Sequence, residues 1–154
     1  APDIPLTHFY NTEKISLADL KGKVVMIDFW ANWCGPCKVA FPSMKKFYDE
    51  NKAKGFVILS VTSLQGRFSD GEIRKQKVAE AEELKLTEDF IKKYNMTWPV
   101  VFSSKSAYNP DYGVTGIPCF AVLDRKGNVR MIRTGAGEAA EKALHKMVAK
   151  LLKE

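Results

Sequence analysis

Residues Val24 to Trp30, VVMIDFW, form an almost unbroken apolar run, and just beyond it the chain reads Cys34-Gly35-Pro36-Cys37. Such a run reads as a central strand buried on both faces. Pro36 suits the first turn of a helix, because its missing N–H would have no partner there anyway. Together the two signals demand a strand-to-helix junction inside a sheet. Residues 36–52 predict the helix, with Val39, Met44, Phe47 and Tyr48 on its inner face and a kink at Pro42. After Gly55, Phe56 to Val61 predicts a second buried strand. Strand, helix and parallel strand make a βαβ unit with a right-handed crossover.

The flanking segments are read with the same rules. Residues 1–22 form an extended, turn-rich N-terminal extension, with a short helical turn at Ser16–Leu20. Residues 64–96 form an insertion rich in both charge signs. Within it a helix is expected at Thr87–Tyr94, with Phe90, Ile91 and Tyr94 facing in, and further helix over Lys75–Leu86. Trp98 to Phe102 is a short strand. Phe120–Asp124 and Val129–Arg133 flank the turn Arg125-Lys126-Gly127-Asn128, a hairpin signal. Glu138–Leu152 is an amphipathic helix, buried along Leu144, Met147, Val148 and Leu151 and wet along Lys142, Lys146 and Lys150. No repeat or low-complexity tract interrupts the chain, so residues 1–154 read as a single domain.

Composition narrows the function classes. The chain has 154 residues, 45% hydrophobic, which suits one domain with one substantial core. Its net charge is +6, but Lys and Arg are interleaved with acids, so a solvated surface is expected and no nucleic-acid partner. No apolar run approaches the roughly 20 residues that span a bilayer. No signal peptide is visible, although Ala1-Pro2-Asp3-Ile4-Pro5 is compatible with a processed leader. Three cysteines are too few and too unevenly spaced for a disulfide scaffold; one close pair and one distant thiol fit catalysis better.

Two cysteines separated by two residues close a small disulfide without long-range chain movement. A helix start places orphan N–H groups and a partial positive charge near Cys34. That stabilises a thiolate, which is the nucleophile. The residues therefore read as a dithiol/disulfide oxidoreductase in which Cys34 attacks and Cys37 resolves. Asp28 lies in the apolar strand, six residues before Cys34. Burial without an ionic partner would raise its pKa and fit it to accept a proton from Cys37. The plainer reading is a strand-end Asp facing solvent. Cys119 reads as a small buried side chain. Its alternatives are a third exchanging thiol, or a three-thiolate zinc or copper(I) site with Cys34 and Cys37. No metal is expected, since neither His8 nor His145 has ligand spacing and both read as surface residues. Trp30 and Trp98 read as core. Tyr112 and Ile117 either line a substrate groove or pack at a loop base. No nucleotide-binding fingerprint is present, so no cofactor is expected and electrons arrive from a partner protein.

IDFWANWCGPCK followed by Pro42, and YGVTGIP before a hairpin, resemble the thioredoxin superfamily over residues 23–152. More narrowly, LADLKGKVVMIDFWA and the insertion resemble the TlpA/ResA-type thioredoxin-like proteins. The resemblance implies a thioredoxin-like three-layer α/β/α fold with a central mixed sheet. It implies Cys34 as exposed nucleophile, Cys37 as the more buried resolving thiol, and Asp28 as the carboxylate under the site. Pro118 matches the cis-proline that presents substrate backbone and Trp33 the aromatic beside the nucleophile; Trp33, Gly35, Pro36 and Ile117 are the substrate-binding residues expected here. It further implies protein disulfides as substrates and a thiol–disulfide protein as electron donor. The implied location is extracytoplasmic in a bacterium, periplasmic or membrane-anchored by a tether outside these residues; the alternative is cytoplasmic. The Gly-Pro dipeptide matches thioredoxin and so implies a reducing couple. Two positions depart from the pattern: Ala40 stands where a glutamate is frequent, and Cys119 follows Pro118 where Thr or another small residue is usual. A thiol peroxidase is a second reading, but the residues before Cys34 lack the PxxxTxxC pattern. A metal-binding module using Cys34, Cys37 and Cys119 is the third.

Overall fold

The computed structural model describes residues 1–154. In chain order the elements are β1 (Leu6–Tyr10), β2 (Val24–Phe29), α1 (Gly35–Asn51), β3 (Phe56–Thr62), β4 (Phe68–Ser69), β5 (Arg74–Lys75), α2 (Glu80–Lys93), β6 (Val100–Ser103), β7 (Cys119–Leu123), β8 (Val129–Thr134) and α3 (Glu138–Lys153). Six strands form one mixed sheet in the order β1-β6-β3-β2-β7-β8, while β4 and β5 form a separate small hairpin. Strand β2 runs parallel to β3 and antiparallel to β7. This is the thioredoxin-like α/β arrangement that the sequence implies.

Alternation along β2 divides the interior in two. Val24, Met26 and Trp30 face a core shared with Phe41 and Met44 of α1, Phe90 and Ile91 of α2, and Leu144, Val148 and Leu151 of α3. Val25, Ile27 and Phe29 face a second core closed by Ile4, Leu20, Tyr112 and Val114. All three α-helices therefore feed the first core. The opposite face is covered by the N-terminal segment and short 3-10 turns at Ala18–Leu20 and Pro110–Tyr112, so the second outer layer of the expected α/β/α arrangement is built of these and not of α-helices.

Several local expectations change. The N-terminal extension supplies β1, which pairs antiparallel with β6. In α1 the buried positions are Cys37, Ala40, Phe41 and Met44, at helical spacing, whereas Val39 is 75% exposed. A residue two places from Cys37 lies on the far side of the helix, so Val39 does not belong to the inner face. The helix continues through Pro42 to Asn51. Helix α2 begins only at Glu80, because Arg74 and Lys75 pair with Ser69 and Phe68. Phe90 and Ile91 are buried as expected, and Tyr94 is half-buried.

Phe41 is fully buried, with its ring 5.9 Å from that of Trp30, 6.1 Å from Trp98 and 6.3 Å from Phe90. Truncation there leaves a cavity among aromatic rings that cannot collapse. Phe41→Ala should destabilise the fold by about 3–5 kcal/mol, read as a lower urea midpoint with an unchanged slope.

Candidate active site

Cys34 occupies the N-cap of α1 in an extended conformation, and its sulfur accepts a hydrogen bond from the Cys37 N–H at 3.2 Å. Cys34 and Cys37 are joined as a disulfide, with their Cα atoms 5.3 Å apart. That separation is within the ordinary range for the bond. Cys34 is 3% exposed and Cys37 1%. The expectation of an exposed Cys34 therefore does not hold for the disulfide form: both sulfurs belong to the first core, with Trp33 and Ile117 packed against it. The exposed residues of the motif are Gly35 and Pro36. The Ile117–Pro118 peptide bond is cis, and the Ile117 carbonyl oxygen lies 3.8 Å from the Cys34 sulfur. Residues 33–37 and 117–118 thus meet where β2 ends and β7 begins.

Asp28 is 1% exposed, so the solvent-facing reading is excluded. By alternation its side chain shares the face of β2 that carries Met26 and Trp30, the face on which α1 packs. Ser60, its neighbour in register on β3, donates a hydroxyl hydrogen bond to Oδ2 at 2.7 Å. Ser60 in turn accepts from the Trp98 indole N–H at 2.8 Å. Oδ1 has no partner. Burial pushes the Asp28 carboxyl up to about 7, against the smaller opposing effect of the Ser60 hydrogen bond.

The insertion is tied directly to this junction. Asn32, itself buried, donates to the Arg67 carbonyl at 3.1 Å and accepts from the Ser69 N–H at 3.1 Å. The Trp33 indole N–H donates to Gln65 Oε1 at 2.8 Å, and the Arg67 guanidinium lies 4.4 Å from the Trp33 ring centre. The buried Glu83 carboxylate of α2 accepts the backbone N–H groups of Gln65 and Gly66. Burial is the largest influence on Glu83 and holds its pKa above the usual range, although these donors pull it down. None of Ser60, Gln65, Arg67 or Glu83 carries a local sequence signal. Each is recognised only through a partner far along the chain.

The third thiol is not brought to the pair. Cys119 is fully buried in the second core, on the opposite face of the sheet from Cys34 and Cys37. The Thr134 hydroxyl lies 3.7 Å from its sulfur, and burial pushes the thiol pKa up. The three cysteines therefore do not converge as a metal site. Tyr112 is buried and its hydroxyl donates to the Pro2 carbonyl, so it packs rather than lining a groove. His145 is half-buried and stacks on Phe47, with ring centres 3.8 Å apart, which corrects its reading as a surface residue.

Residues 1–148 match the Redoxin family. The chain belongs to the redoxin family. It is 33% identical over 135 residues to the thioredoxin-like protein YneN of Bacillus subtilis, covering 88% of this chain and 69% of that one. It is 31% identical over 125 residues to the thiol-disulfide oxidoreductase ResA of Bacillus subtilis, covering 81% of this chain and 60% of the relative. The crystal structure of StoA from Bacillus subtilis superposes with a TM-score of 0.69 at 25% identity, covering 100% of this chain and 98% of that one. In this redoxin the closed Cys34–Cys37 pair makes the chemistry that of a dithiol–disulfide couple.

The raised carboxyl gives the redoxin a pH-dependent stability. An Asp pKa of about 7 against an ordinary value of 3.8 means that the folded state keeps a proton that the unfolded chain has released between those values. Stability from this group is present in acid and is lost as pH rises from about 4 to about 7. Asp28→Asn keeps the shape without the charge. In urea unfolding of the oxidised protein, the Asn variant should match the parent near pH 4. It should exceed the parent at pH 8 by on the order of 4 kcal/mol.

Proposed function

We propose that this redoxin reduces disulfide bonds in partner proteins, with Cys34 as the attacking thiol and Cys37 as the resolving thiol. The observation that carries the reading is the Cys34–Cys37 disulfide closed across the N-terminus of α1. In the reduced protein the helix N-terminus favours a Cys34 thiolate. That thiolate attacks one sulfur of the substrate disulfide. The substrate S–S bond breaks, and its other sulfur leaves as a thiolate that takes a proton from solvent. Cys37 gives its proton to the Asp28 carboxylate and attacks the Cys34 sulfur. The mixed disulfide breaks, the second substrate sulfur leaves and is protonated, and the Cys34–Cys37 disulfide remains. Two electrons have passed to the substrate, and a partner dithiol protein returns them.

A carboxyl titrating near 7 suits Asp28 to that proton transfer. Trp33, the exposed Gly35 and Pro36, Ile117 and the cis Pro118 form the surface against which substrate backbone lies. The likeness to TlpA/ResA-type proteins supports an extracytoplasmic location, periplasmic or held by a tether outside these residues. No helix of the chain is long and apolar enough to cross a membrane.

The test is the equilibrium reduction potential of the pair, by thiol trapping in graded dithiothreitol buffers. A value near or below about −270 mV is expected for a reductant; a value near about −120 mV would reverse the direction of electron flow. Cys34→Ser should abolish reduction of a protein disulfide, whereas Cys37→Ser should accumulate a mixed disulfide visible on non-reducing gels. Cys119→Ser should leave turnover intact.

A further inference from the structure

The structure places a small cationic pocket beside Trp33, and we propose that it selects polypeptide substrates with acidic side chains next to their disulfide. The proposal deepens the reductase reading and rests on it for the identity of the substrate. The pocket, of about 60 Å³, is lined by Trp33, Phe68 and Ser69 together with Arg67, Arg74 and Lys75. That space admits a few waters or a carboxylate group.

The charge in the pocket is largely unspent. Lys75 faces Glu82 at 3.5 Å, but Arg67 and Arg74 have no carboxylate within ion-pair distance. The other acids of this hairpin, Asp70 and Glu72, are each 3.5 Å from Lys93. Arg67 lies over the face of Trp33, an arrangement that leaves the edge of its planar guanidinium available for a carboxylate. Both arginines are exposed, so an incoming acid need not displace a native partner.

The pocket is also fixed in place. Asn32 grips the backbone of Arg67 and Ser69 on one side of the hairpin, and Ser69 pairs with Arg74 across it. Gln65, held through its N–H by Glu83, in turn holds the Trp33 indole. Trp33 immediately precedes Cys34. A substrate sulfur presented to Cys34 therefore brings the residues flanking it alongside two uncommitted arginines. Preordered cations at that position add attraction without the cost of ordering a loop.

The test uses two peptides that differ only in carrying Glu or Gln on both sides of one position. With Ser at that position, their affinities for the oxidised protein are compared by fluorescence anisotropy. With Cys at that position, paired through a disulfide, their kcat/KM values for reduction are compared. The Glu peptide should be favoured by about fivefold in both measurements at low ionic strength, and the preference should shrink in high salt. Arg67→Gln and Arg74→Gln should each bring the ratio towards one. Because the ratio is internal to each variant, a general loss of reactivity cancels. Equal affinities in the parent, or a preference that survives both substitutions, would overturn the pocket. Preferential binding of the Glu peptide without reduction of either disulfide would overturn the reductase reading and leave the pocket standing.

Discussion

Strand β2 lies between β3 and β7 with every residue buried, so its side chains must be shared between two apolar cores, and one of them is a carboxylate. Asp28 meets this constraint without an ionic partner. Its one donor is the Ser60 hydroxyl, which is oriented by Trp98 from the loop before β6. A carboxylate with so little compensation is costly, and the group responds by holding a proton into the neutral range. The strand that organises the fold thus also carries a carboxyl whose proton affinity is raised into the neutral range. The same strand delivers the chain to the start of α1, where Cys34 takes the N-cap. Core and site share one element, so neither can be altered independently of the other.

The insertion extends that coupling outward. Asn32 and Trp33 leave β2 and are immediately engaged by residues 65–69. Those residues are anchored by Glu83 on α2, whose own Phe90 and Ile91 sit in the first core. The surface beside Cys34 is consequently part of a continuous packed structure. It is not a loose loop laid over a thioredoxin-like scaffold. Polar side chains make these ties, and those of Asn32 and Glu83 satisfy backbone groups in and just before a short hairpin that has no long ladder of its own.

What was legible in the sequence follows the range of the interactions. The apolar runs of β2 and β3, the helix after Pro36, the turn of the β7–β8 hairpin and the amphipathic period of α3 are all strong local signals, and these elements form where expected. Asp28 stood out because a carboxylate inside VVMIDFW is chemically conspicuous. Its partners did not, since Ser60 and Trp98 lie 32 and 70 residues away and act through side chains. Strand β1 was invisible because five residues without clean alternation become a strand only when β6 is beside them. Val39 was misassigned by its apolar character, whereas the helix phase is set by Cys37, Ala40, Phe41 and Met44. Glu83 looked like one more acid on a charged helix, and only the backbone of Gln65 and Gly66 distinguishes it. The converging-thiol reading of Cys119 failed for a related reason. Proximity in the chain to Pro118 says nothing about which face of β7 a side chain takes.

Asp28 and Glu83 show how two buried carboxylates near one site are suited to different tasks. Glu83 accepts the backbone N–H groups of two consecutive residues, Gln65 and Gly66, and these donors favour its charged form against the burial that raises its pKa. Protonation there would weaken the charge-assisted hydrogen bonds to the segment that holds Trp33. Asp28 receives one hydroxyl on Oδ2 and leaves Oδ1 without a partner. It can gain or lose a proton while the surrounding hydrogen bonds stay in place, because the Ser60 hydroxyl still donates to Oδ2 in either state. A group that titrates without rearranging its surroundings can pass a proton at little structural cost. A group whose charge holds a loop is better suited to keeping geometry fixed. On this physical ground Asp28 on the central strand is the carboxyl that can change its charge in place, and Glu83 is the one that fixes the segment beside Trp33.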